Sequence, residues 1–221
     1  MSPSPHPIVR LHTYWRSSCS YRVRIALHHK EVPFESVHVN LLENGQSTPE
    51  YRAKNPTGYV PAVEISGKIY GESIAILELL EDLFPARPLL PPAAHDRARV
   101  RGLVQVIASG IQPLQNLNVM KRVSDAREAQ VAFAVHYNER GLGAVEEMLA
   151  SFEAEGVAGP FAYGPSLTLA DAALVPQMYS ARRFGLDLAR FPRALRAYDA
   201  AMALDAVKKA APEAQADAVP A

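Results

Sequence analysis

A single cysteine rules out any internal disulfide, so the fold of this 221-residue chain must rest on its buried core. Excess charge of either sign is absent as well. The 23 Lys and Arg balance the 23 Asp and Glu, which leaves no global field to draw the chain to nucleic acid or anionic lipid. No apolar run approaches membrane-spanning length and no charged-then-apolar leader opens the chain, so no membrane partner is expected and the cytoplasm is the expected location. His12, His28, His29 and His38 lack metal-ligand spacing with cysteine or acids, so no metal site is expected. Internal repeats and large low-complexity blocks are missing too. Any anionic ligand must therefore be held by local charge.

The pattern that is present splits the chain in two. Residues 1–7, with three prolines, are expected to form a flexible tail. Residues 8–85 then alternate strand-like and helical stretches: strands at 8–14, 34–39, 62–65 and 68–70, and helices at 18–30, 48–54 and from Ser73 to the Phe84-Pro85 pair. Ser66-Gly67 reads as the turn of a hairpin between the last two strands. The order βαβαββα fits an α/β thioredoxin-like domain. Residues 86–93, with Pro88, Pro91 and Pro92, read as an interdomain linker. Residues 94–212 read as an all-helical domain, with helices expected at 96–117, 125–152 and 169–184, the last almost uniformly apolar in its first half. Thr168-x-x-Asp171 is a capping-box pattern ahead of that buried helix. Residues 213–221 are expected to be a second flexible tail.

The chemistry concentrates where the first strand gives way to the first helix. Ser17, Ser18 and Cys19 fall at the helix start, where unpaired N–H groups and the helix dipole favour an anion, and a thiolate over a thiol. Either Cys19 is that thiolate, or the serines hold one brought by a cofactor. Taken alone, each residue also fits a plainer role, a capping serine or a small buried thiol. Disulfide chemistry at Cys19 would want a partner thiol that this chain lacks. Glu72-Ser73 opens another helix and offers a second anion site with a carboxylate beside it.

The run Ser17-Ser18-Cys19-x-x-Arg22-Val23-Arg24-Ile25-Ala26-Leu27 resembles the glutathione-site signature of zeta-class glutathione transferases, the family that includes maleylacetoacetate isomerase. Further matches follow at Asn55-Pro56-x-x-x-Val60-Pro61, Glu72-Ser73-x-Ala75-Ile76, 110–117 and Thr168-Leu169-Ala170-Asp171, so the resemblance covers roughly residues 8–212. It implies the glutathione transferase fold, glutathione as cofactor and a cytoplasmic homodimer. It also implies a glutathione-dependent cis–trans isomerase acting on a small dicarboxylate enedione, maleylacetoacetate, in aromatic amino-acid catabolism. Alternatives are isomerisation of maleylpyruvate, glutathione transfer to α-halo acids, and a non-enzymatic glutathione-binding protein.

By the same resemblance Ser17 matches the catalytic serine, and Ser18 and Cys19 line its pocket. Glutathione contacts are further implied for Ser20, Tyr21, Arg22, Gln46, Val60, Pro61, Glu72 and Ser73, and from the helical part for Gln112, Asn116, Leu117 and Asn118. Val60-Pro61 is expected to be cis, leaving the Val60 backbone free to pair with the tripeptide. Glu72 stands where the family often has Gln; a charged acceptor still suits the ammonium of the γ-glutamyl group. Arg16 and Arg183 are the candidates for substrate carboxylates.

Overall fold

The computed structural model describes residues 8–219; the expected tail at 1–7 lies outside the described residues, as do the last two positions. Two compact units divide the chain. The first runs to Pro88 and resumes at Asp205, and the second is Leu89–Leu204.

In the first unit the elements follow as β1 (Val9–Thr13), α1 (Ser18–His29), β2 (Phe34–His38), α2 (Pro49–Lys54), β3 (Ala62–Ile65), β4 (Lys68–Tyr70) and α3 (Ser73–Leu83). The sheet order is β2-β1-β3-β4. β1 is thus central, parallel to β2 with Val9 opposite Phe34 and Thr13 opposite His38, and antiparallel to β3 with Val9 opposite Ile65. Val9 and Leu11 are buried while Arg10 between them is exposed, the alternation that a pleated strand imposes. The β3–β4 hairpin turns on Ser66 and Gly67 at φ 52° and 73°. Both sit in the left-handed region that a tight two-residue turn demands, which explains the glycine. Helices α1 and α3 pack together and bury Val23, Ile25, Leu27, Ile76, Leu77 and Leu80.

The second unit is helical: α4 (Ala94–Gly110), α5 (Leu117–Val123), α6 (Arg127–Ala154), α7 (Leu169–Arg183) and α8 (Pro192–Met202). Leu169, Ala170, Ala172, Ala173, Leu174, Val175 and Met178 of α7 are each 1% exposed or less, so this helix is the core of the bundle, packed by α4 and α8. Its start carries the expected capping box. The Asp171 carboxylate accepts from the Thr168 N–H at 2.8 Å and the Ala162 N–H at 2.7 Å, while the Thr168 hydroxyl accepts from Ala170 N at 3.2 Å.

Three expectations need correction. The single helix expected over 96–117 stops at Gly110 and gives way to a short 3₁₀ turn, Gln112–Gln115, before α5 begins. Pro113 contributes by lacking an N–H to continue the helical bonding, and the backbone leaves helical angles at Ile111, with φ −121° and ψ −63°. Part of the stretch read as a linker belongs to the second unit, since Leu89 and Leu90 are buried and the Leu89 carbonyl accepts from Leu169 N at 2.8 Å. Last, residues 205–219 are neither part of the helical unit nor a frayed tail. They form α9 (Asp205–Ala210) and a 3₁₀ turn, Pro212–Ala214, both within the first unit. The burial of Val207 and Ala210 against α1 holds them there.

Candidate active site

The turn between β1 and α1 ends in Ser17, the N-cap of α1. Its backbone is extended at φ −70° and ψ 119°, and its hydroxyl oxygen accepts from Ser20 N at 3.2 Å. Because the oxygen is engaged as acceptor, the hydroxyl proton remains to be donated outward. The first intrahelical bond runs from Tyr21 N to the Ser17 carbonyl at 2.9 Å. The N–H groups of Ser18 and Cys19 consequently have no acceptor among the described residues. A hydroxyl donor and these amides converge at the positive end of a 12-residue helix, an arrangement that holds a negatively charged atom and lowers the pKa of a thiol placed there. Cys19 is a free, partly exposed thiol at this helix start.

A second helix start lies in the same unit. α3 has no side-chain cap, and Glu72 before it holds the left-handed backbone φ of 62°. The amides of Ser73, Ile74 and Ala75 precede the first helical bond, from Ile76 N to the Glu72 carbonyl at 2.9 Å. Arg22, 1% exposed on α1, links the two starts by donating Nη1–H to the Ser73 hydroxyl at 3.2 Å. Its Nε and Nη2 have no hydrogen-bond partner among the described residues, so a buried positive charge is left under-satisfied beside the α3 amides. The Glu72 carboxylate is exposed and has no cationic partner among the described residues. A carboxylate at the α3 amides and an ammonium at Glu72 are the ends that an amino-acid headgroup presents.

Between these starts runs the loop ahead of β3. Val60-Pro61 is cis, as expected, and the Val60 N–H and C=O lie outside the sheet ladder, which begins at Ala62. The Tyr59 carbonyl just before is fixed by the Tyr51 hydroxyl at 2.7 Å and Asn55 Nδ2 at 2.9 Å. Burial pushes the Tyr51 phenol up to about 12, so it remains a donor at neutral pH. Gln46, in the short 3₁₀ turn Gly45–Ser47, has a buried Oε1 without a partner among the described residues.

Of the expected contacts in this unit, Ser17, Ser18 and Cys19 stand at the open start of α1, Glu72 and Ser73 at the start of α3, and Val60 just ahead of β3. Tyr21 is 1% exposed, with the Arg24 guanidinium 5.5 Å from its ring. Ser20 lies fully buried, its hydroxyl without a partner among the described residues. Arg16 lies over the Trp15 ring at 5.1 Å.

In the second unit, Gln112 Nε2 donates to Asn116 Oδ1 at 2.9 Å across the 3₁₀ turn, so the pair meets although no helix carries both. The turn is anchored by an amide triangle. Gln115 donates to Gln177 at 3.1 Å, Gln177 to Asn138 at 2.6 Å, and Asn138 to Gln115 at 3.1 Å. Leu117 is exposed at the start of α5, followed by exposed Asn118, and Arg183 is exposed at the end of α7 beside Phe184.

Two residues that hold the β1–α1 turn escaped the sequence reading. Arg24 and Asp217 both bond its backbone. A faint signal existed for Arg24, a charge inside the apolar run Val23–Leu27, and none for Asp217. Among the described residues, no group of three or more His, Cys, Asp or Glu could hold a metal ion, and no helix is long and apolar enough to cross a membrane.

A four-stranded unit with two open helix starts and a second, all-helical unit is the architecture of the glutathione transferase class. The glutathione S-transferase N-terminal domain family matches residues 16–83. Maleylacetoacetate isomerase of Rattus norvegicus is 42% identical over 209 residues, covering 94% of each chain. A zeta-class glutathione S-transferase of Euphorbia esula is 39% identical over 214 residues, covering 96% of this chain and 93% of that one. Among solved structures, maleylacetoacetate isomerase of Anaeromyxobacter dehalogenans, with glutathione bound in its active site, superposes with a TM-score of 0.86 at 39% identity, over 97% of this chain and 99% of that one. A bacterial zeta-class maleylpyruvate isomerase superposes with a TM-score of 0.92 at 36% identity, over 95% of this chain and all of that one. The chain belongs to the zeta-class glutathione transferase and maleylacetoacetate isomerase family.

Proposed function

We propose that this protein is a glutathione-dependent cis–trans isomerase that converts maleylacetoacetate to fumarylacetoacetate. The single observation that carries the reading is the start of α1, where an N-capping serine with a spare proton stands beside the open amides of Ser18 and Cys19. The residues fit the tripeptide at three points. The α1 start suits a sulfur anion, the free Val60 backbone suits an extended peptide, and Ser73, Arg22 and Glu72 suit a zwitterionic γ-glutamyl end.

Glutathione, when bound, supplies a thiolate nucleophile that can add to an activated cis double bond and leave again once the bond between has rotated. The chain's own part is electrostatic. Ser17 donates its hydroxyl proton toward the sulfur position, and the Ser18 and Cys19 amides hold the charge without having to reorient. Arg16 or these same helix-start donors would stabilise negative charge on a substrate oxygen. By family resemblance we assign Gln46, Gln112, Asn116, Leu117 and Asn118 to glutathione contact, and Arg183 with Arg16 to the substrate carboxylates. We further assign the protein to the cytoplasm, as a homodimer in aromatic amino-acid catabolism.

A second reading has one specific support, the 0.92 TM-score to a maleylpyruvate isomerase. The deciding experiment retains the protein on a glutathione resin and follows the cis-enedione absorbance of each substrate together with total thiol. Loss of the maleylacetoacetate signal at constant thiol is the expected result. A faster reaction with maleylpyruvate would transfer the assignment to that substrate, and consumption of thiol on an α-halo acid without isomerisation would replace it with a transferase.

A further inference from the structure

The turn that carries Ser17 is held by residues far along the chain. The Trp15 backbone is bound at both ends, its N–H donating to Asp217 Oδ2 at 3.0 Å and its carbonyl accepting from Arg24 Nη2 at 2.9 Å. Arg24 is 0% exposed, and its Nη1 reaches the Thr13 hydroxyl at 3.0 Å and the Tyr14 carbonyl at 3.4 Å. Its Nε donates to the Ala210 carbonyl at 2.9 Å. One planar guanidinium therefore ties three consecutive residues before Ser17 to the end of α9. Ser17 N closes the turn by donating to the Tyr14 carbonyl at 3.0 Å. Ala218, next to Asp217, packs on the cluster of Tyr14, Trp15, Val39, Tyr51 and Val60.

We propose that residues 205–219 are a working part of the thiolate site, in which Asp217 and Arg24 are positioning residues that fix the turn from Tyr14 to Ser17. This rests on the glutathione reading above. The Tyr14–Trp15 and Trp15–Arg16 peptide planes cannot rotate without breaking these bonds, so the direction of the Ser17 hydroxyl and of the Ser18 and Cys19 amides is set before any ligand arrives. Charge alone would give Asp217 the opposite effect. A carboxylate near a sulfur anion disfavours that anion, so an effect by geometry and an effect by charge differ in sign. The charged and titratable groups around Asp217 are His38, whose Nδ1 lies 3.1 Å from Asp217 Oδ1, and Arg24.

The test compares Asp217→Ala, which removes the acceptor, with Asp217→Asn, which keeps an oxygen acceptor and removes the charge. Trp15 is the sole tryptophan, so its emission and its amide exchange report on the turn in protein without ligand. Asp217→Ala is expected to speed Trp15 amide exchange, to shift the emission, and to raise the pH midpoint of the bound glutathione thiol by about half a unit or more. Asp217→Asn is expected to bring all three back toward the wild type. Unchanged exchange in Asp217→Ala, or a thiol midpoint that stays put or falls in both variants, overturns the proposal. The wild-type midpoint separates the two levels of inference. If it is lowered relative to free glutathione while Asp217→Ala matches it, only the positioning role falls; if it equals that of free glutathione, the glutathione reading falls and takes this role with it.

Discussion

Replacing Ser17 separates its two jobs. As N-cap it accepts from Ser20 N, and in the proposed reaction it donates to the sulfur of bound glutathione. Ser17→Ala removes both, while Ser17→Gly removes the donor but keeps most of the capping free energy, since Gly at an N-cap costs only a few tenths of a kcal/mol against about 1 kcal/mol for Ala. For a protein of this size a 1 kcal/mol loss lowers Tm by about 3 °C, so the Ala variant should melt about 2 °C below the Gly variant. A hydrogen bond to a charged acceptor is worth about 2 kcal/mol, which raises the bound thiol pKa by about 1.5 units and slows turnover by about 30-fold in both variants. Thiolate absorbance against pH, turnover at saturating glutathione and thermal melting together decide the matter. If turnover losses follow the melting temperatures, with Ser17→Gly close to wild type, the donor role is refuted and Ser17 is a cap alone.

Gly141→Ala should destabilise the helical unit by about 1–3 kcal/mol in urea unfolding, because an added Cβ would stand 2.2 Å from Ile111 Cγ1 at the helix break; weaker glutathione binding in the folded fraction is the expected companion. Asp171→Ala leaves the buried Thr168 and Ala162 amides without their carboxylate acceptor and should cost about 2 kcal/mol or more by the same measurement, with activity per folded molecule retained. Burial holds His12 below its ordinary value, with the nearby Lys54 charge adding to the effect. A histidine depressed in the folded state contributes stability that is present above its unfolded pKa of about 6.5 and is lost as pH falls through the lower folded value. Burial raises Asp171 to about 6, so its contribution runs the other way, present below about 4 and lost as pH rises through about 6. The difference in urea midpoint between pH 7.5 and pH 5 should therefore change toward less acid sensitivity in His12→Gln; an unchanged difference would remove His12 from the pH response.

Local chemistry was legible in the sequence where a residue type answers to its immediate neighbours. The alternation in β1, the Ser66-Gly67 turn, the Thr168–Asp171 cap and the hydroxyls at the start of α1 all depend on contacts a few positions apart. Pro113 was legible as a disturbance but not in its extent, since the break after Gly110 also reflects Ile111 settling against Gly141 in α6. The bonds from Arg24 to Ala210 and from Trp15 to Asp217 span 186 and 202 positions, and neither partner has a neighbour that signals the other. Alanine-rich residues 205–219 carry so weak an apolar pattern that solvent and core read alike until α1 supplies the surface they cover.

Because the first unit is completed by residues past Asp205, it cannot finish folding on the ribosome when its own βαβαββα stretch has emerged. Domains usually fold in the order of their synthesis. Here the helical unit is an insertion within another fold, and nascent α1 must wait for residues 205–219, translated after that whole unit, to cover it.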